Sequence, residues 1–407
     1  MNATARPPQQ RAPKGLLAIL TLLATLAMLA TNLYLPSMPR LAEEFGTTAG
    51  GARATLTVFL AAFALSQLAW GPLSDAWGRR RVLTAGLVLY ALAAVACALA
   101  SSLDALLAAR AVQGIGACAA STLVRAIARD WFEGAELAHA LAVILTLMTA
   151  APGFSPLLGG LIEATLGWRA DFALLAACGA AAALLAWTCI PDRGLAPVPL
   201  SPRALLRSYR HIATTPEFLA PTLATSLGVA GLFAFFAAAP TIFMQHLGVS
   251  AVMFGLVPAG LVFALFAGGT MPGMLRRRLG TNGAILVAIG LMAAGGLGMC
   301  VLVLARPLGW INFVLPLLPY LAGIGIINPV ATAAAMQPFP RNAGAAAALN
   351  GFCQLTGAAF GTALLALFPM PAALPITLAI CAIAALCAFA LFTARRPAAA
   401  ADRPVDH

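Results

Sequence analysis

The sequence predicts an all-α membrane protein of twelve transmembrane helices, arranged as two pseudo-symmetric bundles of six. Three observations lead there. Of the 407 residues, 61% are hydrophobic and 9% are charged, whereas soluble domains carry roughly a quarter charged residues. The apolar residues fall in long runs separated by short polar loops. Runs of about 20 residues are what a helix needs to cross the hydrocarbon core, and a helix satisfies its own backbone there. The basic residues, in turn, are concentrated in alternate loops.

In chain order, the tail 1–14 holds Arg6, Arg11 and Lys14 among Pro and Gln. It reads as disordered and cytoplasmic. The run 15–35 is the first span. A charged start before an apolar stretch also opens a secretory signal, but this run is too long and no small-x-small cleavage site ends it. Further spans read as 52–70, 82–100, 105–126, 137–161, 168–190, 216–244, 251–272, 282–304, 308–335, 344–368 and 371–394. The six spans of 15–190 form one bundle and the six of 216–394 the other. Between them lies a cytoplasmic stretch, 191–215. Within it Ser201 and Pro202 start a short helix as cap and first residue. Leu205, Leu206, Tyr209 and Ile212 share one face, away from Arg203, Arg207 and Arg210, as in a helix lying on the inner membrane surface. A second cytoplasmic tail follows at 395–407.

An even span count puts both termini on one side. With that side inside, nineteen basic residues fall in inner loops and tails, including Arg193, Arg341, Arg395, Arg396 and Arg403. Four, Arg40, Arg53, Arg169 and Arg306, fall outside, and Arg110 lies within a span. This asymmetry fixes the orientation. It also accounts for the net charge of +11 without a nucleic-acid partner, since no basic face with interleaved aromatics exists. The eight cysteines lie inside apolar runs with no C-x-x-C pair, so they read as small core residues. The four scattered histidines give a metal site little support. No G-x-x-x-x-G-K-[ST], G-x-S-x-G or H-E-x-x-H is present, which argues against an ATP-driven pump or an enzyme.

Four stretches carry more than topology. Gly71-Pro72-Leu73-Ser74-Asp75-Ala76-Trp77-Gly78-Arg79-Arg80-Arg81 reads as a tight charged hairpin between two spans. Its glycines allow helices to approach closely, and its charges suit helix ends. A positive loop that only sets topology is the plainer reading of the charges alone. A weak echo, Gly268 to Arg278, lines up its first glycine and triple arginine with Gly71 and Arg79–Arg81, with Pro272 in place of Asp75. Arg110-Ala111-Val112-Gln113-Gly114-Ile115-Gly116 places an arginine inside a span, at a cost of about 2.5–3.5 kcal/mol on insertion scales. It faces protein or water, unless it snorkels to the outer face about two turns away. Ala151-Pro152-Gly153-Phe154-Ser155-Pro156-Leu157-Leu158-Gly159-Gly160 is a span dense in Pro and Gly, able to bend and to pack closely. Asn32-Leu33-Tyr34-Leu35-Pro36-Ser37-Met38-Pro39 ends the first span.

The first of these resembles the loop between the second and third helices of the major facilitator superfamily of secondary transporters. The second resembles the R-x-x-Q-G-x-G stretch of its antiporters, and the third the antiporter stretch of its drug-exporting members. Asn32 to Pro39 is similar to the D-x-Y-L-P-x-x-P stretch of the Bcr/CflA-type drug resistance exporters. So are Arg125 to Asp130, Gly167 to Phe172, and Ala343 to Ala346. The resemblance implies alternating access in a bacterial inner membrane, moving small amphipathic substrates against protons. It implies a chain acting as a monomer, with no cofactor and the proton gradient as energy source. It implies that Gly71, Asp75, Gly78, Arg79 and Arg80 act in the conformational change, as do Pro152, Pro156, Gly159 and Gly160. Asn32, Tyr34, Arg110 and Gln113 would line or orient the cavity, with Asn328 and Gln354 from the second half.

One departure matters: the acid of the related stretch is Asn32 here, and an amide cannot exchange a proton. Asp75, Glu163 and Asp171 are the substitute candidates. Arg110 is expected to meet an anionic group of a substrate, or Asp171. The same fold would also serve a metabolite importer by uniport or symport, or a non-transporting sensor or enzyme.

Overall fold

The structure is a computed structural model that describes residues 12–13, 15–191, 201–305, 307–368 and 370–394. The tail expected at 395–407, nearly all of that at 1–14, and the loop charges Arg6, Arg11, Lys14, Arg193, Arg306, Arg395, Arg396 and Arg403 lie outside them. The described residues are helical, without a strand. Those of Met1–Leu200 with Ser250–Ala259 pack as one compact unit, and those of Ser201–Val249 with Gly260–His407 as a second.

The first unit holds α1 (Leu16–Asn32), α2 (Met38–Glu44), α3 (Ala49–Trp77), α4 (Arg79–Ala98), α5 (Leu103–Trp131), α6 (Gly134–Leu166) and α7 (Trp168–Cys189). At its centre α5 packs on α3, α4 and α1, while α7 packs on α4 and α6 on α1. Small residues set these approaches, as expected where lipid supplies no hydrophobic drive between helices. Gly114 faces the Phe59 backbone of α3, and Gly116 the Gly86 and Tyr90 backbone of α4. Within the 33-residue α6, past Pro152 and Pro156, Gly159 abuts the Leu33 carbonyl and Gly160 the Ala251 carbonyl. Neither site has room for a Cβ.

The charged hairpin is not the loop the sequence suggests. Helix α3 continues through Gly71, Pro72 and Asp75 to Trp77, and α4 begins at Arg79. Gly78 alone separates them, at φ 94°, ψ 137°, a conformation that favours glycine. Gly71 is not a close-approach site either: a Cβ there meets nothing within 4 Å. Hydropathy marks only the apolar part of a helix, so a polar helical end reads as a loop.

The second unit holds α8 (Pro202–Ala213), α9 (Pro216–Pro240) continued by a π turn at Thr241–His246, the latter part of α10 (Ala251–Thr270), α11 (Pro272–Ala305), α12 (Trp310–Met336), α13 (Ala343–Leu364) and α14 (Ala373–Ala394). Helix α11 packs on α12 and α14, and α9 on α13, α14 and α12. Ser201 caps α8 by accepting from the Ala204 amide at 3.4 Å. Ile212 is buried and Leu205 and Tyr209 are half-buried, but Leu206 points out, 69% exposed. The expected four-residue apolar face is therefore three residues wide. Burial pushes the Tyr209 phenol up to about 12.

The echo of the hairpin is real but sits in another register. Helix α11 carries one non-helical residue, Gly280, at φ 70°. It is the counterpart of Gly78. Seven residues before it stands Gly273, which like Gly71 faces open space, and Leu275 falls where Leu73 does. Arg277 then replaces Asp75, and Arg276–Arg278 precede the break, whereas Arg79–Arg81 follow theirs. Arginine triplets constrain no backbone, so aligning on them misplaces the repeat by five residues.

Among the described residues, eleven helical stretches are long and apolar enough to cross a membrane. The twelfth expected span, 344–368, is α13. Its 22 residues reach about 33 Å, long enough to cross. Four glycines, two threonines, Asn350 and Gln354 leave it less apolar than the rest.

Candidate functional site

Ser102 caps α5 by accepting from the Ala105 amide at 3.2 Å. Arg110 follows about 10 Å along that helix. Its side chain is fully buried, which excludes the snorkelling alternative. Gly114, one turn on, lets α5 touch α3 at Phe59, and the guanidinium carbon then lies 4.3 Å from the Phe59 ring centre. Tyr34 flanks it at 4.4 Å and Phe172 at 5.7 Å. The Tyr34 hydroxyl is tied to Thr55 Oγ1 at 3.1 Å, and its ring lies 5.5 Å from Phe172. Three rings thus face one cation, each contributing about 0.5–2 kcal/mol in such surroundings.

Arg110 Nη1 donates to the Ala30 carbonyl at 3.1 Å and to Gln113 Oε1 at 2.6 Å. Its Nε and Nη2 have no partner among the described residues. No carboxylate among those residues pairs with it, so the expected contact with Asp171 is not made. A buried cation with donors to spare is chemically suited to an acceptor oxygen or an anionic group on a small molecule. Asn32 is buried nearby on α1, but its Nδ2 donates to the Met28 carbonyl at 3.0 Å, and the structure does not bring it into the arginine's hydrogen-bond set.

Asp171, in the first turn of α7, is fully buried and accepts from the Ser37 hydroxyl at 2.7 Å. Glu163 of α6, 7% exposed, lies 3.6 Å from Arg40. At the opposite end of α5 stands a second charged group. Arg79 reaches Asp75 at 2.6 Å, Asp130 at 2.9 Å and the Ser74 hydroxyl at 2.5 Å. Arg80 lies over the Trp187 ring at 5.0 Å. In the second unit Gln354 donates to Thr332 Oγ1 at 3.3 Å, and Thr332 to Asn328 Oδ1 at 3.4 Å, so the two expected residues are linked through a third. Thr222 donates to Asn350 Oδ1 at 3.2 Å.

Sequence reasoning missed Phe59, Phe172, Thr55, Asp130 and Thr332 as parts of these groups. The spacing of Thr55, Phe59 and Phe63 along one face of α3 carries a signal. The others are assembled from helices far apart in sequence, and no local pattern announces them.

Long apolar helices packed around a buried arginine define a multi-pass helical membrane protein. Residues 20–362 match the Major Facilitator Superfamily, and the chain belongs to that family. It is 33% identical over 358 residues to a chloramphenicol resistance protein of Pseudomonas aeruginosa, covering 86% of this chain and 84% of that one. It is 30% identical to multidrug resistance protein D of Escherichia coli strain K12, covering 87% and 89%. The solved structure of a D-xylose-proton symporter superposes with a TM-score of 0.69 at 18% identity, covering 91% and 96%, which is a likeness of fold.

Proposed function

We propose that the protein exports small amphipathic, drug-like compounds across a bacterial inner membrane, exposing its site alternately to the two faces in exchange for protons. The observation that carries this reading is Arg110, buried among three rings with two donor nitrogens unpartnered among the described residues. Such a site offers an apolar aromatic surface and one polar anchor, which suits varied amphipathic molecules. The names of the relatives, chloramphenicol resistance and multidrug resistance, point to the same substrate class.

In this reading Arg110 and Gln113 anchor the substrate's acceptor group and Tyr34 and Asn32 orient it, while in the second unit Asn328 and Gln354 offer polar groups for substrate. Gly71, Asp75, Gly78, Arg79 and Arg80 secure one conformation at the far end of α5. Pro152, Pro156, Gly159 and Gly160 shape the rearrangement of α6. One chain is the working unit, both termini face the cytoplasm, and the proton gradient, with no cofactor, supplies the energy. The test is a susceptibility panel including chloramphenicol in an exporter-deficient host, with and without an uncoupler. Protection that the uncoupler abolishes is expected. Energised uptake of a labelled compound in place of efflux would replace export by import.

A further inference from the structure

Among the described residues three charged side chains are buried: Arg110, Glu163 and Asp171. The substrate site uses the first. The two acids come together at a different place, around Ser37, in the short turn Leu35–Ser37 that follows α1. Ser37 is fully buried and donates to Asp171 Oδ2 at 2.7 Å. Helix α6, which carries Glu163, packs against that same turn and against α7. A serine hydroxyl has one proton to donate, and here it goes to Asp171. Asp171 Oδ1 and Glu163 Oε2 are both buried without a partner among the described residues.

The surroundings offer little compensation for two negative charges. Arg40, on α2, lies 3.6 Å from Glu163 with its side chain 65% exposed. Arg169, next on α7 to the turn that holds Asp171, is engaged by Glu44 and donates to the Ala100 carbonyl at 3.1 Å. From α4, Cys97 sits by Gln113, on the Arg110 side. Arg110 itself is held by Ala30, Gln113 and the rings. Among the described residues no cation pairs with Asp171.

From this geometry we propose that Ser37, Asp171 and Glu163 form a proton-binding site, a carboxyl pair that holds one exchangeable proton and couples it to the substrate site. Uptake takes a proton from hydronium, breaking its O–H bond to leave water and forming an O–H bond on one carboxylate oxygen. Release breaks it, leaving the electron pair on the carboxylate and passing the proton to water on the exposed Arg40 side. Phe172, next to Asp171, flanks Arg110 at 5.7 Å, so charge appearing on the pair acts within one residue of the ring facing the cation. Asn32 cannot carry this proton, and α1 contains no acid. The inference rests on the proposed exchange of substrate for protons, and its test separates the two.

Two measurements are made on the full-length protein. The wild type in detergent is treated with dicyclohexylcarbodiimide, which adds a protonated, apolar-lying carboxyl across its C=N bond to leave an N-acylurea, and the adduct is mapped by mass spectrometry. Labelling of Asp171 or Glu163 that fades as pH rises is expected, and absence of label from both overturns the site. In proteoliposomes, D171N and E163Q are compared with wild type for chloramphenicol accumulation driven by a pH gradient and for gradient-free chloramphenicol exchange. Loss of the driven mode with exchange retained is expected. Driven accumulation undiminished in D171N, E163Q and the double variant overturns the proposal. If the wild type moves no compound in either mode, the export reading fails, and the carbodiimide result alone decides the proton site. If the variants do not fold, the carbodiimide result on the wild type decides the proton site.

Discussion

The guanidinium carbon of Arg110 lies 4.3 Å from the centre of the Phe59 ring. Because the arginine is fully buried and no carboxylate among the described residues neutralises it, the ring quadrupole is part of what keeps the charge in place. Phe59→Leu keeps an apolar side chain, somewhat smaller, and removes the π face. The expected result is a loss of about 1–2 kcal/mol in stability, read as a lower thermal midpoint in detergent, with weaker substrate binding. Phe59→Trp, with the stronger quadrupole, is expected to retain binding better than Phe59→Leu.

Gln113 accepts from Arg110 at 2.6 Å and sets how much charge is left for a substrate. Gln113→Leu strips the nitrogen of this acceptor, and an unsatisfied buried donor costs about 1–3 kcal/mol. Gln113→Glu does the opposite. It adds a carboxylate's charge to a bond that the cation already assists and holds the guanidinium in an ion pair. The expected outcome is a more heat-stable protein that binds an anionic or carbonyl-bearing substrate less well. Isothermal titration of the two variants with one probe compound checks both halves.

How much of the molecule is legible in the sequence depends on what each residue constrains. The spans, the capped helix at Ser201 and the importance of Arg110 are local facts of hydropathy, capping and buried charge, and the sequence displays them. The environment of Arg110 is only partly local: Gln113 lies three residues along the same helix, but Ala30 and Tyr34, Phe59 and Phe172 come from distant parts of the chain. The far ends of α3 and α11 mislead for a different reason. Charged residues there do not stop a helix, whereas Gly78 and Gly280, with positive φ, do. A pattern weighted toward arginines therefore shows a loop where there is a helix and aligns the repeat on the wrong residues.

Arg79 bridges Asp75, one turn before it, and Asp130 from the end of α5. Two carboxylates on one guanidinium form a unit, so their removal should not be additive. Asp75→Asn and Asp130→Asn each weaken the clamp between α3, α4 and α5. A double-mutant cycle on thermal unfolding is expected to give a coupling of about 0.5–3 kcal/mol. Both acids are partly exposed, so added salt is expected to shrink the coupling. A coupling of zero would mean that the three charges meet without holding the helices together.

Gly71 and Gly78 stand seven residues apart in one motif yet do different work, and the same substitution separates them. Gly71 lies inside α3, and a Cβ there meets open space. Gly71→Ala therefore relieves the backbone entropy of a helical glycine and is expected to raise stability by about 0.5–1 kcal/mol. Gly78 is the hinge residue at φ 94°, ψ 137°. Gly78→Ala forces an L side chain into a region it rarely enters, at a cost of order 1–3 kcal/mol, and the structure can escape it only by shifting the start of α4 and with it Arg79. The variant is expected to melt lower and to lose transport together with the Asp75–Arg79–Asp130 clamp. Gly280→Ala in the second unit, at φ 70°, is expected to melt lower as well, while Gly273→Ala, facing open space, is not. Four melting curves therefore test whether the positive-φ glycines define the repeat. If Gly78→Ala melts lower and Gly280→Ala does not, the two glycines are not equivalent and the register that pairs them is wrong.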